Sequence, residues 1–204
     1  MDPTTGNALP DNPLYGGDPT DDRVIAEGLR NPFRFTVEPG TDRVFIGDVG
    51  WYTWEEVDRL KSAGDAVVEN FGWPCFEGKG HEPDYDGLGL TICRTLYGNP
   101  QLVTKPYFAL NHGPGACNGS NVFSGMAFYP GGTYPAQYTG ALFFTDIVRG
   151  CLWLMLAKPN GSPDKSTFAT FATGVSAVDI KPGPGGDLFY VSLDGTIHRI
   201  TYGA

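Results

Sequence analysis

Charge is scarce in this chain. Asp, Glu, Lys and Arg make up 18% of its 204 residues, too few for a coiled coil or a charged helical bundle. No long apolar run occurs: the stretch at 140–156 is broken by Asp146 and Arg149, so no segment reads as a transmembrane helix. There is no Gly-x-Ser-x-Gly elbow, no Walker loop, no dinucleotide fingerprint and no EF-hand spacing, which leaves those hydrolase, nucleotide and calcium-loop readings unsupported. Cys75, Cys93, Cys117 and Cys151 form no Cys-x-x-Cys pair, and no His stands at zinc-finger spacing from them, which argues against zinc. Met1 is followed by Asp-Pro-Thr-Thr-Gly, with neither a basic start nor an apolar core. If the protein is exported, its signal lies outside this start. Basic residues are also few. The net charge of −9 makes nucleic acid and anionic membranes poor partners, and leaves neutral ligands and divalent cations open.

Glycine (29) and proline (17) are abundant, and hydrophobic residues reach 41%. Together they predict many short strands joined by tight turns around a real core. Four cysteines in such a chain fit two disulfides and a secreted or periplasmic setting, with buried free thiols as the alternative. Of three connectivities, Cys75–Cys93 with Cys117–Cys151 is favoured, because each closes a local excursion. Asn118-Gly119-Ser120 and Asn160-Gly161-Ser162 are glycosylation sequons, triplets that are also common by chance.

Residues 1–22 are polar and read as an irregular arm; strands follow over 23–204, interrupted by a long Cys-containing insertion at about 70–120. A weak repeat runs through them. One copy is Asn31–Gly40, Val44–Asp48 and Glu56–Leu60; a second is Ser124–Gly131, Ala141–Asp146 and Gly150–Leu154; a third is Ala177–Gly183, Asp187–Ser192 and Gly195–Ile200. Each reads strand, Pro-Gly turn, apolar strand ending in a small or acidic residue, tight turn, strand. That is the pattern of a β-propeller blade, which must stack on neighbours to bury both faces; a meander within a sandwich is the alternative. At about 40–50 residues per blade, the chain holds four blades, or three with a long insertion. A closed ring usually needs more, so the chain is a partial set, or copies associate through exposed blade edges, or the ring is unusually small.

Arg30-Asn31-Pro32 precedes the first repeat. Pro32 holds Asn31 extended, so Arg30 and Asn31 stand at a strand mouth, as a carboxylate-binding pair or as an ordinary surface charge and turn residue. Gly47–Glu56 is a turn rich in aromatics. Trp51, Tyr52 and Trp54, with Trp73 of a second aromatic turn, stack on a ligand such as a glycan or pack between blades. Glu55 and Glu56 point to opposite faces of a strand that alternates as a half-exposed one should, so they are no acid/base pair; one of them suits calcium together with backbone carbonyls. His198 reads as structural. His112, in a flexible Gly/Pro loop, is the histidine to consider for proton transfer.

Gly-Leu-Arg-Asn-Pro at 28–32, Gly-Asp-Val-Gly with Trp-Glu-Glu-Val-Asp at 47–58, and Asn-Phe-Gly-Trp-Pro at 70–74 occur in one order at fitting distances. Tyr134-Pro135-Ala136 with Gly140–Asp146 and Arg149-Gly150 follows. From about residue 21 to its end, the chain resembles the glucose/sorbosone dehydrogenase family of soluble quinoproteins. The resemblance implies an incomplete six-bladed, all-β propeller and oxidation of aldose sugars with pyrroloquinoline quinone (PQQ) and calcium. It implies that Arg30 and Asn31 contact the quinone, that the carbonyls of Gly50 and Trp51 approach its calcium, and that Glu56, with carbonyls near Phe71 and Glu77, forms a second, structural calcium site. The family's catalytic His belongs to blades that precede Arg30, and here no His precedes His81. Val148 stands where some members carry a cofactor-binding Lys, and basic residues expected near Ser176–Asp179 are missing. Oxidation by this partial chain is therefore expected to be impaired, and a non-catalytic module that binds a glycan or a protein is the alternative.

Overall fold

The computed structural model describes residues 1–203. In chain order the first strands are β1 (Ala26–Glu27), β2 (Pro32–Val37), β3 (Val44–Asp48), β4 (Trp54–Leu60), β5 (Glu69–Asn70), β6 (Phe76–Glu77), β7 (Gly80–His81) and β8 (Phe108–Asn111). The rest are β9 (Phe123–Phe128), β10 (Leu142–Asp146), β11 (Cys151–Met155), β12 (Ala169–Thr173), β13 (Ala177–Pro182), β14 (Leu188–Ser192) and β15 (Ile197–Ile200). Two short helices, α1 (Pro83–Asp86) and α2 (Thr91–Gly98), lie in the insertion.

Three antiparallel sheets carry the fold, ordered β2-β3-β4-β8, β9-β10-β11-β12 and β13-β14-β15. Each begins with the first strand of one repeat. The inner strand β9 packs against both β2 and β13, as neighbouring blades of a propeller do. Gly125 allows that approach: a Cβ there would lie 2.7 Å from the Ile180 nitrogen. The protein is a partial propeller of three blades with a long insertion. The insertion gives blade one its outer strand, β8, and holds the short pair β6-β7, while β1, before blade one, pairs in parallel with β5 where the insertion begins.

Side-chain alternation explains why the blades stack. In blade two, Phe144 is in register with Met126 and Trp153, and Phe143 with Ala127 and Leu154. The first set packs against Phe45 and Val57 of blade one; the second meets Ala177, Ile180 and Leu188 of blade three. The Leu-Phe-Phe run of β10 is thus buried on both faces, which is why it does not alternate. Blade three shows no fourth strand among the described residues, and Ile197 on its edge strand is 74% exposed.

Both disulfides are the favoured ones, Cys75–Cys93 and Cys117–Cys151. The first pins α2 to the insertion through a small cluster with Leu96, and the second ties the loop before β9 to the start of β11. The half-exposed reading of β4 is corrected. Glu55, Glu56, Val57, Asp58 and Leu60 are all buried, because blade two covers one face of β4 and residues of the insertion cover the other.

Candidate functional site

The antiparallel meander brings two kinds of loop to one end of the sheets: those entering the inner strands and those joining second strand to third. Arg30 and Asn31 enter β2, Gly50–Thr53 join β3 to β4, His112 follows β8, Asn121 precedes β9, and Arg149 joins β10 to β11. The predicted mouth therefore exists as one rim.

Two aspartates fasten it. Asp48, the last residue of β3, accepts the backbone N–H of Arg30 (2.8 Å) and of Asn31 (2.6 Å). Asp146, the last residue of β10, accepts those of Asn121 (2.5 Å), Val122 (3.0 Å), Val148 (2.9 Å) and Arg149 (2.8 Å). The acidic strand end seen in two repeats is thus a latch that fixes the loop entering the same blade. It also leaves the Arg30 and Arg149 side chains free to turn to other partners. Arg149 turns to the loop, donating to the carbonyls of Gly113 (2.6 Å) and Gly115 and to Asn121 Oδ1.

Arg30 lies 4.7 Å from the Trp51 ring centre and 5.7 Å from that of Trp73. Its Nη1 donates to the Val49 carbonyl (2.8 Å), while its buried Nε has no partner. Trp51 also meets Tyr52, and Trp73 meets Tyr85. Three of the four aromatics singled out in the sequence thus gather at the mouth. Trp54 does not: its ring lies under Gly78, where a Cβ would strike it, with Lys79 Nζ 5.3 Å from its centre.

Behind Arg30 is a chamber of about 10 Å³, bordered by Asp48, Glu56, Glu77, Gly50 and Phe71. That is the scale of a single water or ion. Glu77 Oε1 accepts the N–H of Trp51 and of Tyr52 (3.1 Å), and Glu56 Oε1 accepts that of Gly78. Gly50 has no room for a side chain, since a Cβ would strike the Trp54 carbonyl and lie 2.7 Å from Glu77 Oε1. Burial pushes the Glu56 carboxyl up to about 8, opposed by the Gly78 N–H and reinforced by Asp48 and Glu77. Burial also raises Asp48, against the N–H groups it accepts. Asp58, on the same face of β4 as Glu56, is fully buried with neither oxygen paired, and its carboxyl is held far above the usual range by burial first and then by Glu56 and Asp48. Among the described residues, no group of three His, Cys, Asp or Glu side chains is arranged as a finished metal site. What stands here is a cluster of buried carboxyl groups around a small void, with Glu56 and Asp58 held towards the neutral form.

On the opposite face of β4, Glu55 Oε1 lies 2.7 Å from His112 Nε2 and accepts the Gly50 N–H (3.2 Å), while Oε2 accepts the Phe123 N–H (2.8 Å). The opposite-face reading of Glu55 and Glu56 thus holds. Burial pushes Glu55 up to about 7 despite His112. The hydrogen bond to Glu55 raises His112, against burial, and the Tyr52 backbone adds to the rise. Both shifts favour the protonated form of each partner, and one hydrogen bond joins them. His81 stacks on Tyr97 (3.7 Å) and His198 on Tyr190 (4.7 Å), both away from the mouth.

Sequence reasoning missed Asp48, Asp58, Asp146 and the pairing of Glu55 with His112. The repeated acidic strand end carried a signal for Asp48 and Asp146. Nothing local marked the reach of Glu55 to His112 and Phe123, 57 and 68 residues away.

The family model of glucose/sorbosone dehydrogenases matches residues 3–200. The chain belongs to the glucose/sorbosone dehydrogenase family. It is 28% identical over 153 residues to the HIPL2 protein of Arabidopsis thaliana, covering 74% of this chain and 20% of that protein. With the HIPL1 protein of the same plant it is 29% identical over 175 residues, covering 84% and 23%. It is similar in fold to the PQQ-bound aldose sugar dehydrogenase of Streptomyces coelicolor, at TM-score 0.60 and 21% identity, over 92% of this chain and 43% of that one. The apo-form of the soluble aldose sugar dehydrogenase of Escherichia coli gives 0.62 and 19%, over 94% and 50%. The chain thus spans about a fifth of the plant relatives and about half of the solved dehydrogenases. No helix among the described residues is long and apolar enough to cross a membrane.

Proposed function

We propose that this chain is part of a secreted or periplasmic propeller that oxidises aldose sugars with PQQ and calcium, and that oxidation is impaired without further blades. The observation that carries the reading is the small chamber bordered by Asp48, Glu56 and Glu77 directly behind Arg30. Carboxyl groups beside an ion-sized void, completed by backbone carbonyls, are the oxygen donors that a hard divalent cation takes. Glu56 and Glu77, with the Phe71 carbonyl, would hold a structural calcium, and the carbonyls of Gly50 and Trp51 would face the one that accompanies the quinone. The unpartnered Nε of Arg30 fits an anionic ligand edge, so Arg30 and Asn31 would bind the quinone. Held there, the quinone would supply a two-electron acceptor for the hydride at the anomeric carbon of the sugar.

The chain's own residues do the rest. Asp48 holds the Arg30–Asn31 backbone in place, and Trp51 and Trp73 fix the guanidinium and shield it from water. His112 with Glu55 keeps a proton between Nε2 and Oε1 at the rim. A base must start unprotonated, so this pair replaces the missing family His poorly, and loss of a positioned base costs roughly two to four powers of ten in rate.

The test is a titration of the chain with PQQ, with and without calcium, followed by dye reduction with aldoses. Calcium-dependent binding with slow turnover is expected. Absence of binding in both conditions overturns the reading. The second reading, a glycan-binding module without catalysis, is supported by the exposure of Trp51 (39%) and Tyr52 (65%) beside Trp73. Quenching of tryptophan fluorescence by neutral oligosaccharides, without PQQ binding, would favour it. Association of copies through the free β15 edge is a further expectation, read directly by sedimentation.

A further inference from the structure

Lysine is rare here, with six in the chain, and the net charge is −9. Yet three of the six, Lys79, Lys105 and Lys165, line one groove of about 480 Å³, together with Tyr107, Phe108 and Gly78. They come from three separate segments: the β6–β7 turn, the approach to β8, and the β11–β12 connection of the next blade. All three are exposed, and among the described residues none forms an ion pair. Lys165 Nζ and Arg59 each lie 4.8 Å from the Tyr107 ring centre, which adds a fourth cation beside the groove. The nearby acids are engaged elsewhere: Asp164 caps Ser166 (3.0 Å), Glu38 pairs with Arg43, and Glu56 turns inward to the Gly78 N–H.

In a strongly acidic chain, ammonium groups left unpaired against one concavity make it the place where an anion is attracted rather than repelled. The dimensions narrow the choice. The volume falls in the range of sites for small organic ligands, more than one sulfate or phosphate would fill. Lysines offer point charges with rotatable donors, which suit carboxylates and hydroxyls in varied orientations better than a fixed planar fork. An added peptide strand fits less well. It needs a row of free backbone groups, and only Phe108 and Ala109 of β8 line the groove.

We infer that the groove between the outer edges of blades one and two binds a polyanionic saccharide, carrying carboxylate or sulfate groups, at a site separate from the rim. The site does not depend on PQQ or calcium.

The test is calorimetric titration of the full chain, in chelator, with an oligogalacturonate and with a heparin-derived oligosaccharide, at low and raised salt. Saturable, salt-sensitive binding of either is expected, and the tighter of the two identifies carboxylate or sulfate as the recognised group. The triple variant K79Q/K105Q/K165Q, altered only at exposed positions, should bind roughly ten- to a hundredfold more weakly with a shallower salt dependence. The control K158Q/K181Q should bind as the parent does. Equal loss in the control would reduce the effect to net charge and overturn the site. So would unchanged binding by the triple variant, binding of neither saccharide, or tighter binding of a poly-glutamate peptide.

Discussion

Glu55 Oε1 and His112 Nε2 meet at 2.7 Å, and the same oxygen holds the Gly50 N–H. One buried carboxylate therefore joins the outer strand of blade one to the β3–β4 loop, while its second oxygen reaches β9 through Phe123. His112→Ala strips Glu55 of its charged partner. Its folded value, about 7, already lies above the ordinary 4.5, so ionised Glu55 opposes folding above pH 4.5, and loss of His112 enlarges that penalty. The variant should lose about 1–3 kcal/mol at neutral pH and much less in mild acid, where Glu55 is protonated in both states. Urea unfolding at two pH values checks this; a loss independent of pH would contradict it.

Glu56 offers the calcium test. Its folded value of about 8 exceeds its ordinary value. The ion-free fold is therefore favoured at low pH and loses stability as pH rises from about 4.5 towards 8. A bound divalent ion reverses the sign, because it favours the ionised form. Calcium should raise the melting temperature more at pH 8 than at pH 5. Glu56→Ala should lower it much more with calcium present than in chelator, where only the Gly78 N–H loses its acceptor; an equal loss in chelator would sink the assignment.

The strand-end latches differ in weight. Asp146 is fully buried and accepts four N–H groups, whereas Asp48 accepts two. Asp146→Ala should cost about 2–4 kcal/mol and Asp48→Ala less, at about 1–2 kcal/mol, since Asp146 leaves more part-buried backbone donors without their acceptor. Denaturant midpoints give the ranking, and the reverse order would show that the rim is held by other contacts.

Reduction should open the insertion before the blades. Cys75–Cys93 encloses a short segment with a small core of its own, Cys93 and Leu96 packed on Cys75. Removing the constraint costs about 3 kcal/mol, more than such a cluster supplies. Limited proteolysis after reduction should cut first between residues 76 and 104; unchanged cleavage there would count against the insertion's reliance on the bridge.

The blade repeats, the disulfide pairing and the position of the mouth were legible because each is written locally. Pro-Gly turns mark the hairpins of blades one to three, the apolar runs at Val44–Ile46, Leu142–Phe144 and Leu188–Val191 mark the second strands, and Cys spacing favours short loops. The burial of β4 was not legible. Trp54–Leu60 alternates like a surface strand, and the insertion that folds back over it, with Gly78 on Glu56, makes Glu56 an interior residue. The Glu55–His112 pair was hidden for the same reason, since sequence distance does not encode which strand edge a returning loop will join. Proximity in sequence groups Trp54 with Trp51, although alternation along the strand sends its ring under Gly78 instead.

Asp48 and Asp146 each tie down the mouth of the blade to which they belong, rather than bridging to the next. A rim assembled in this way is modular under mutation. One loop can be rewritten while its neighbour keeps its shape, so changes at Asn31 and at Asn121 should combine without interfering. Recognition could then diversify blade by blade on a constant scaffold.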